Sequence, residues 1–339
     1  VKALKTLLAT TLLLSVAACG GTGAASTGDG AKKTVTVYTA DGLADWYKTR
    51  FDAFTQKTGI KVQTVEAGSG EVVSRLQKEK SNPQADVVVT LPPFIQKADK
   101  DGLLQKYDVP GADHVKGLKG DDYVTVVDNY LCFIANAQAG TPKTFDDLLD
   151  PKFKGKLQYS TPGQAGDGTA VLLLLQHLLG KDGALDYLKK LEANNVGPSA
   201  STGKLQPKVS KGELLVANGD VQMNAASIAN DKSAFSIFFP AAAGKRTTLA
   251  LPYVMGLGVG APNADGGKQL MEYLLSTDAQ QTISQDAFGL PARDDVTPTD
   301  ANFTSVRKVT DGVEVWQPDW TAVLSDLDAD VAAYTKAVG

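Results

Sequence analysis

"TVTVYTADGLADWYKTRFDAFTQKTGIKVQTV" runs from Thr34 to Val65, and its pattern decides the fold class. "TVTVYT" is short, β-branched and stopped by Ala40, Asp41 and Gly42, which predicts a buried strand. Leu43, Trp46, Tyr47, Phe51 and Phe54 then recur at helical spacing, and Gly59 ends the helix. "IKVQTV" supplies a second strand. Beyond it, "GSGE" makes a turn, and a helix over 71–80 turns Val72, Val73 and Leu76 inward. "ADVVVT" at 85–90 is continuously apolar, as a parallel strand covered on both faces must be. Strand, helix, strand, helix, strand at this pace predicts an α/β domain with right-handed crossovers.

Working outward, two stretches look long and apolar enough to pass between domains. They are "YVTVVDNYLCFIANAQ" from Tyr123 and "LALPYVMGLGVGAPN" from Leu249. Two such crossings imply a second domain inserted into the first, giving one lobe from 34–124 and 253–339 and another from 125–252. Within the insert, "TFDDLLDPKFKGKLQYS" predicts a short helix, a turn and a strand. A helix is expected from Thr169 to Leu179, another over "ALDYLKKLEANN", a strand at "VQMNAA" and a helical turn at "ASIANDKSAF". Two helices are expected in "GGKQLMEYLLSTDAQQTISQDAFGLPAR", and a final amphipathic one after an Asp319 cap.

The chain's first residues read differently. Lys2 and Lys5 precede an apolar run from Leu7 to Ala18, and "SVAAC" closes it at Cys19. A basic region, a short apolar region and small residues make a secretory signal over 1–18, too short for a membrane span. Cys19 after Val16-Ala17-Ala18 matches a bacterial lipobox, so lipidation of Cys19 is expected, with 19–33 as a flexible Gly-rich tether. Cys132 is the only other cysteine, which leaves no intrachain disulfide once Cys19 is lipidated. Loss of Lys2 and Lys5 with the signal makes a formal charge of −4 more negative still, which argues against nucleic acid as a partner. With 43% hydrophobic residues, the rest of the chain can bury a proper core.

The catalytic inventory is thin. The two histidines, His114 and His177, fall in a polar loop and in the apolar helix "LLLLQHLLG". No HExxH, GxSxG, P-loop or CxxC occurs. A secreted hydrolase built on Asp/Glu pairs has nothing specific in its favour. No enzyme activity, cofactor or metal is expected. What recurs is a strand end opening into a Gly/Ser/Thr loop and then a helix: "YTADGLADW", "EAGSGEVV", "STPGQAGDGTAV" and "NAASIAND". Each presents free amides and hydroxyls at a helix N-terminus, a ready anion site. Singly each is a capped helix; four of them over two lobes predict a ligand cleft.

These segments resemble the solute-binding lipoproteins of ABC transporters. "LLDPKFKGKL" and "VSKGELLVANGDV" are similar to second-lobe segments of the ferric-type group of type II periplasmic binding proteins. "VTVYTADGLADWYKTRFDAFTQKTGIKVQ", "GSGEVVSRLQKEKSNPQADVVVTLPPFIQ" and "GLGVGAPN" resemble periplasmic 2-aminoethylphosphonate-binding proteins. The tyrosine pair of the iron binders in that group is missing here; Tyr253 stands alone in "LPYVMG". The resemblance implies a monomer with two α/β lobes, an interlobe ligand, and delivery to a permease and its ATPase. Iron(III), another oxyanion or a polyamine is the alternative cargo.

The ligand so implied is a small zwitterion. For its phosphonate the candidates are Ser69, Gly70, Thr161 and the loop Gly163 to Thr169, including Gly166 and Asp167, with Thr161 and the amides of Gly166 to Thr169 foremost. For its ammonium they are Asp41, Glu71 and Asp231, with Tyr38 and Tyr253 as aromatic faces. Thr90 and Ser227 complete the expected site.

Overall fold

In the computed structural model of the protein, residues 34–140 and 142–339 are described. The expected signal, tether and Cys19 lie outside them. The chain opens with β1 (Thr34–Ala40), α1 (Ala44–Thr58), β2 (Lys61–Ala67), α2 (Ser69–Lys78), β3 (Val87–Thr90), α3 (Phe94–Lys100), β4 (Leu104–Gln105) and β5 (Tyr123–Asp128). It continues with β6 (Leu131–Asn136), β7 (Leu157–Gln158), α4 (Gly166–Leu191), α5 (Gln206–Ser210), β8 (Val216–Asp220) and α6 (Val221–Asn230). Then come β9 (Phe235–Phe238), β10 (Ala241–Ala242), β11 (Lys245–Leu249), β12 (Tyr253–Gly258), α7 (Ala264–Leu275), α8 (Thr277–Gln281) and α9 (Ile283–Ala287). The end is β13 (Leu290–Pro291), α10 (Ala301–Val309), β14 (Glu314–Trp316) and α11 (Trp320–Val338).

β1 pairs in parallel with β2 and β3, in register Tyr38 to Val65 and Tyr38 to Val88. β12 lies antiparallel between β3 and β5, completing a seven-stranded sheet with β4 and β13. Val35, Val37, Val87, Val88 and Val89 are wholly buried, as expected of strands covered on both faces. The α1 side chains Trp46, Tyr47, Phe51 and Phe54 pack beneath them, and Gly59 takes the left-handed turn that ends the helix (φ 74°). Each such side chain contributes roughly 1.5–3 kcal/mol over its exposed state.

A second sheet has the order β7-β8-β6-β9, and a third, β10-β11-β14. The chain leaves the first sheet through Asn129 and Tyr130, between β5 and β6, and returns through Ala250 to Pro252, between β11 and β12. These two links run antiparallel side by side: Tyr130 bridges Ala250, and the Leu251 amide donates to the Asn129 carbonyl at 2.8 Å. They are the expected crossings.

The sequence-based assignments fail in three places. "VQMNAA" is helical, because the Asp220 side chain accepts the Met223 amide at 2.8 Å and caps α6. The two helices expected after Thr169 are present within α4, parted by the non-helical Gly180 (φ 74°, ψ 167°). Residues 264–287 form three helices, because the Ser276 side chain caps α8 and starts a new one. The C-terminal segment also does not stay with the first sheet: β14 pairs with β11, and α11 lies against α4, with Lys181 reaching Asp330 at 2.8 Å and Tyr159 meeting Tyr334 at 2.9 Å. The Asp319 cap of α11 is as expected.

Candidate functional site

β1, β2 and β3 end at one edge of the first sheet and pass the chain to Asp41, Gly68 and Leu91. β7 and β8, also parallel, deliver Tyr159, Ser160 and Asp220 at the edge of the second. Ligands of open α/β sheets gather outside such carboxyl ends. Between the two edges lies a small, nearly closed cavity. Ala40, Asp41, Gly68, Ser69 and Leu91 line one side, and Ala165, Gly166, Asp167, Thr202 and Met223 the other. A wider recess of about 410 Å³ shares Asp41 and Met223 and adds Asp45, Glu66, Lys204, Ser227 and Asp231.

Two features of opposite sign meet here. The first is a pair of helix N-termini. α2 starts at Ser69 and α4 at Gly166, and neither N-cap residue, Gly68 or Ala165, has a side chain that caps the helix. Their leading amides and dipoles favour negative charge. Hydroxyls stand nearby: Ser69 is buried, and Thr202 donates to Ser160 Oγ at 2.9 Å.

The second feature is a set of carboxylates. Asp41 Oδ2 accepts from Ser201 Oγ at 2.6 Å across the cleft. Asp220 is buried, its Oδ2 3.2 Å from the Tyr253 hydroxyl. Asp167 is 5% exposed, and its Oδ1 has no partner among the described residues. Burial, then the neighbouring charge of Asp220, pushes the Asp167 carboxyl well above the usual carboxylate range; burial likewise raises that of Asp220. The group placed with the anion nest from sequence is thus a buried acid held toward its neutral form.

The structure brings together Asp41, Ser69, Gly166 and Asp167 at the cavity, and Ser227 and Asp231 at the recess, where Ser227 Oγ donates to Asp231 at 3.3 Å. It places the other candidates elsewhere. Tyr38 alternates to the far face of β1, where its hydroxyl donates to Glu79 at 2.9 Å and the Arg75 guanidinium lies 4.7 Å over its ring. Glu71 is exposed on α2. Thr90 reaches the Ser69 carbonyl at 3.4 Å and braces the loop from behind. Gly70 and Gly163 line a separate cleft beside α11 and form part of the seam, where the Gly70 amide donates to the Gln164 carbonyl at 2.9 Å. Tyr253 offers no aromatic face. It is wholly buried, and its hydroxyl donates to the Asp41 carbonyl at 2.8 Å, fixing that loop.

Thr161 and Thr169 shape the loop before α4. Thr161 Oγ1 accepts the Ser199 amide at 3.0 Å, and Thr169 Oγ1 accepts the Gly163 amide at 2.9 Å while donating to the Ala165 carbonyl. Neither lines the cavity. Thr161→Val is therefore expected to cost about 1 kcal/mol of stability and to change ligand affinity by less than about threefold. A melting curve beside a calorimetric titration checks both; a tenfold loss of affinity with an unchanged melting point would return Thr161 to the ligand.

Reasoning from sequence missed Asp220, Thr202, Ser201 and Met223. Extending the strand into "VQMNAA" hid Asp220, which otherwise reads as a strand-end carboxylate capping a helix. The Ser201–Thr202 loop had no signal, since it reaches the cavity only through tertiary packing. Among the described residues, His114, Asp294 and Asp295 also cluster, but Lys116 and Arg293 already pair with the two aspartates at 3.0 and 2.7 Å.

Residues 49–310 match the family model described as "Bacterial extracellular solute-binding protein". The chain belongs to that family. Its members capture solutes and are not enzymes. This solute-binding protein is 50% identical over 314 residues, 90% of the chain and 93% of the relative, to a Salmonella typhimurium protein named "Putative 2-aminoethylphosphonate-binding periplasmic protein". It also resembles a solved periplasmic thiamin binding protein (TM-score 0.79, 22% identity, 91% and 97% of the two chains). A ferric binding protein from Campylobacter jejuni shares the fold (TM-score 0.72, 20% identity, 89% and 99%). The type II periplasmic-binding-protein fold, two lobes of sheets and helices, follows from these matches.

Proposed function

We propose that this protein binds 2-aminoethylphosphonate, or a similarly small aminophosphonate, between its lobes and hands it to the permease of an ABC importer. The observation that carries this is the sign pattern of one small cavity. The N-termini of α2 and α4 face it together with the carboxylates of Asp41 and Asp167. A zwitterion with phosphonate at one end and ammonium at the other satisfies both. The name of the Salmonella relative supports the same cargo.

Iron(III) suits the cavity less well. Tyr253 is spent on the Asp41 backbone, and burial raises the pKa of both Tyr47 and Tyr253, so neither is poised as a phenolate ligand. The protein acts as a monomer held outside the cytoplasmic membrane through lipid on Cys19, its lobes turning about the links at Asn129–Tyr130 and Ala250–Pro252.

Calorimetric titration of the domain from Lys33 onward tests the cargo. Saturable binding of 2-aminoethylphosphonate at micromolar concentration or tighter is expected, about 8 kcal/mol or more. Binding of iron(III) or thiamin with no response to 2-aminoethylphosphonate would overturn the assignment.

A further inference from the structure

We infer that Asp167 sets the specificity of the cavity: its unpaired carboxylate oxygen demands a hydrogen-bond-donating cation, a primary ammonium, and turns away phosphate and phosphonates that lack one. The inference rests on the aminophosphonate reading above and names the residue that enforces it.

Three observations lead there. Asp167 is 5% exposed and lines the cavity, yet its Oδ1 accepts nothing among the described residues. A buried acceptor left in that state costs free energy until a donor arrives. The neighbouring acids are already engaged: Asp41 takes the Ser201 hydroxyl, and Asp220 takes the Met223 amide and faces the Tyr253 hydroxyl. One open acceptor suits a single N–H, whereas a hard metal ion needs six or so oxygens. The residues lining the cavity include no lysine or arginine. No basic side chain there neutralises Asp167; a proton does so until a ligand ammonium takes its place.

The groups facing Asp167 are Thr202 from the loop before α5, Asp220 at the end of β8, and Asp41 after β1, with the Cys132 thiol of β6 close enough to feel its charge. Two of these are acids and none is basic. An anionic ligand without an ammonium would bring its charge beside this cluster and leave Oδ1 unpaired. Sites built around a hydrogen bond reject an analogue lacking the partner group far more strongly than apolar pockets reject a shape change. Rejection of the competitor is therefore part of how selectivity arises.

Propylphosphonate is the direct probe, since a methyl group replaces the ammonium of 2-aminoethylphosphonate. Calorimetry on the unaltered protein is expected to show a preference for the amine of at least ~100-fold, with inorganic phosphate also weak. A preference under about tenfold would overturn the inference and leave the aminophosphonate reading standing. No binding of 2-aminoethylphosphonate at all would instead remove the reading. Asp167→Asn keeps the shape and removes the charge. It should weaken 2-aminoethylphosphonate by about 10- to 100-fold and strengthen propylphosphonate. Equal loss of both ligands would mark Asp167 as structural and overturn the inference. Should the variant not fold, the two-ligand comparison on the unaltered protein decides alone.

Discussion

Gly68→Leu is expected to lower the affinity for 2-aminoethylphosphonate by about 100-fold or more, roughly 2.7 kcal/mol, while the unliganded protein stays folded. Gly68 precedes α2 with an extended backbone (φ −63°, ψ 150°) that any residue adopts, so no conformational strain is introduced. The obstacle is on the other side of the cleft. A Cβ at this position would lie 2.3 Å from the Ala200 carbonyl oxygen and 3.3 Å from that of Gln164. Both are backbone atoms and cannot swing aside. The side chain is harmless when the lobes part and prohibitive when they meet, so it acts on closure. Leucine at an N-cap costs only about 1 kcal/mol of helix stability, a few degrees of melting temperature at most. Unchanged affinity would mean that the ligand is held without the Gly68–Ala200 contact.

Gly42→Ala should damage both stability and binding. Gly42 has φ 121°, where side chains are strained, and a Cβ there would lie 2.1 Å from the Tyr253 hydroxyl oxygen and 3.2 Å from Gln222 Oε1. Tyr253 cannot yield, being wholly buried with its hydroxyl on the Asp41 carbonyl. Gln222 also donates to the Gly42 carbonyl at 3.0 Å and the Ala287 carbonyl at 2.6 Å, so this loop ties the first sheet to α6 and α9. Backbone strain of about 1–3 kcal/mol and overpacking of about 1–3 kcal/mol add, and the loop must move, carrying Asp41 out of the cavity. A melting point at least about 5 °C lower, with ligand affinity reduced at least about tenfold, is the expected pair of results. A variant that melts within a degree of the parent and binds as well would show that Tyr253 does not position Asp41.

The fold was legible because its signals are local. The run from Thr34 to Val65 carries strand and helix periods without interruption, and the first three strands appear where those periods place them. The crossings were legible as apolar runs too long for one strand. Local signals also located the loops after β1, β2 and β7. They did not show which way a side chain faces. Tyr38 and Asp41 are three residues apart, yet one packs under α2 and the other lines the cavity, because strand alternation and the turn at Gly42 separate them. They also did not show that Asp167, in a glycine-rich loop that reads as an anion nest, comes to rest beside Asp220. That juxtaposition joins Asp167 and Asp220, 53 residues apart at the starts of two helices, and only the packed second lobe creates it.

A crystal structure of the protein with 2-aminoethylphosphonate tests the central claim most directly. The phosphonate oxygens should lie within about 2.7–3.2 Å of amides at the starts of α2 and α4, around Ser69 and Gly166. The ammonium nitrogen should lie at the same distance from Asp167 Oδ1. A ligand bound in the opposite sense, with its phosphonate against Asp167, or bound outside the cavity between Ser69 and Asp167, would contradict it.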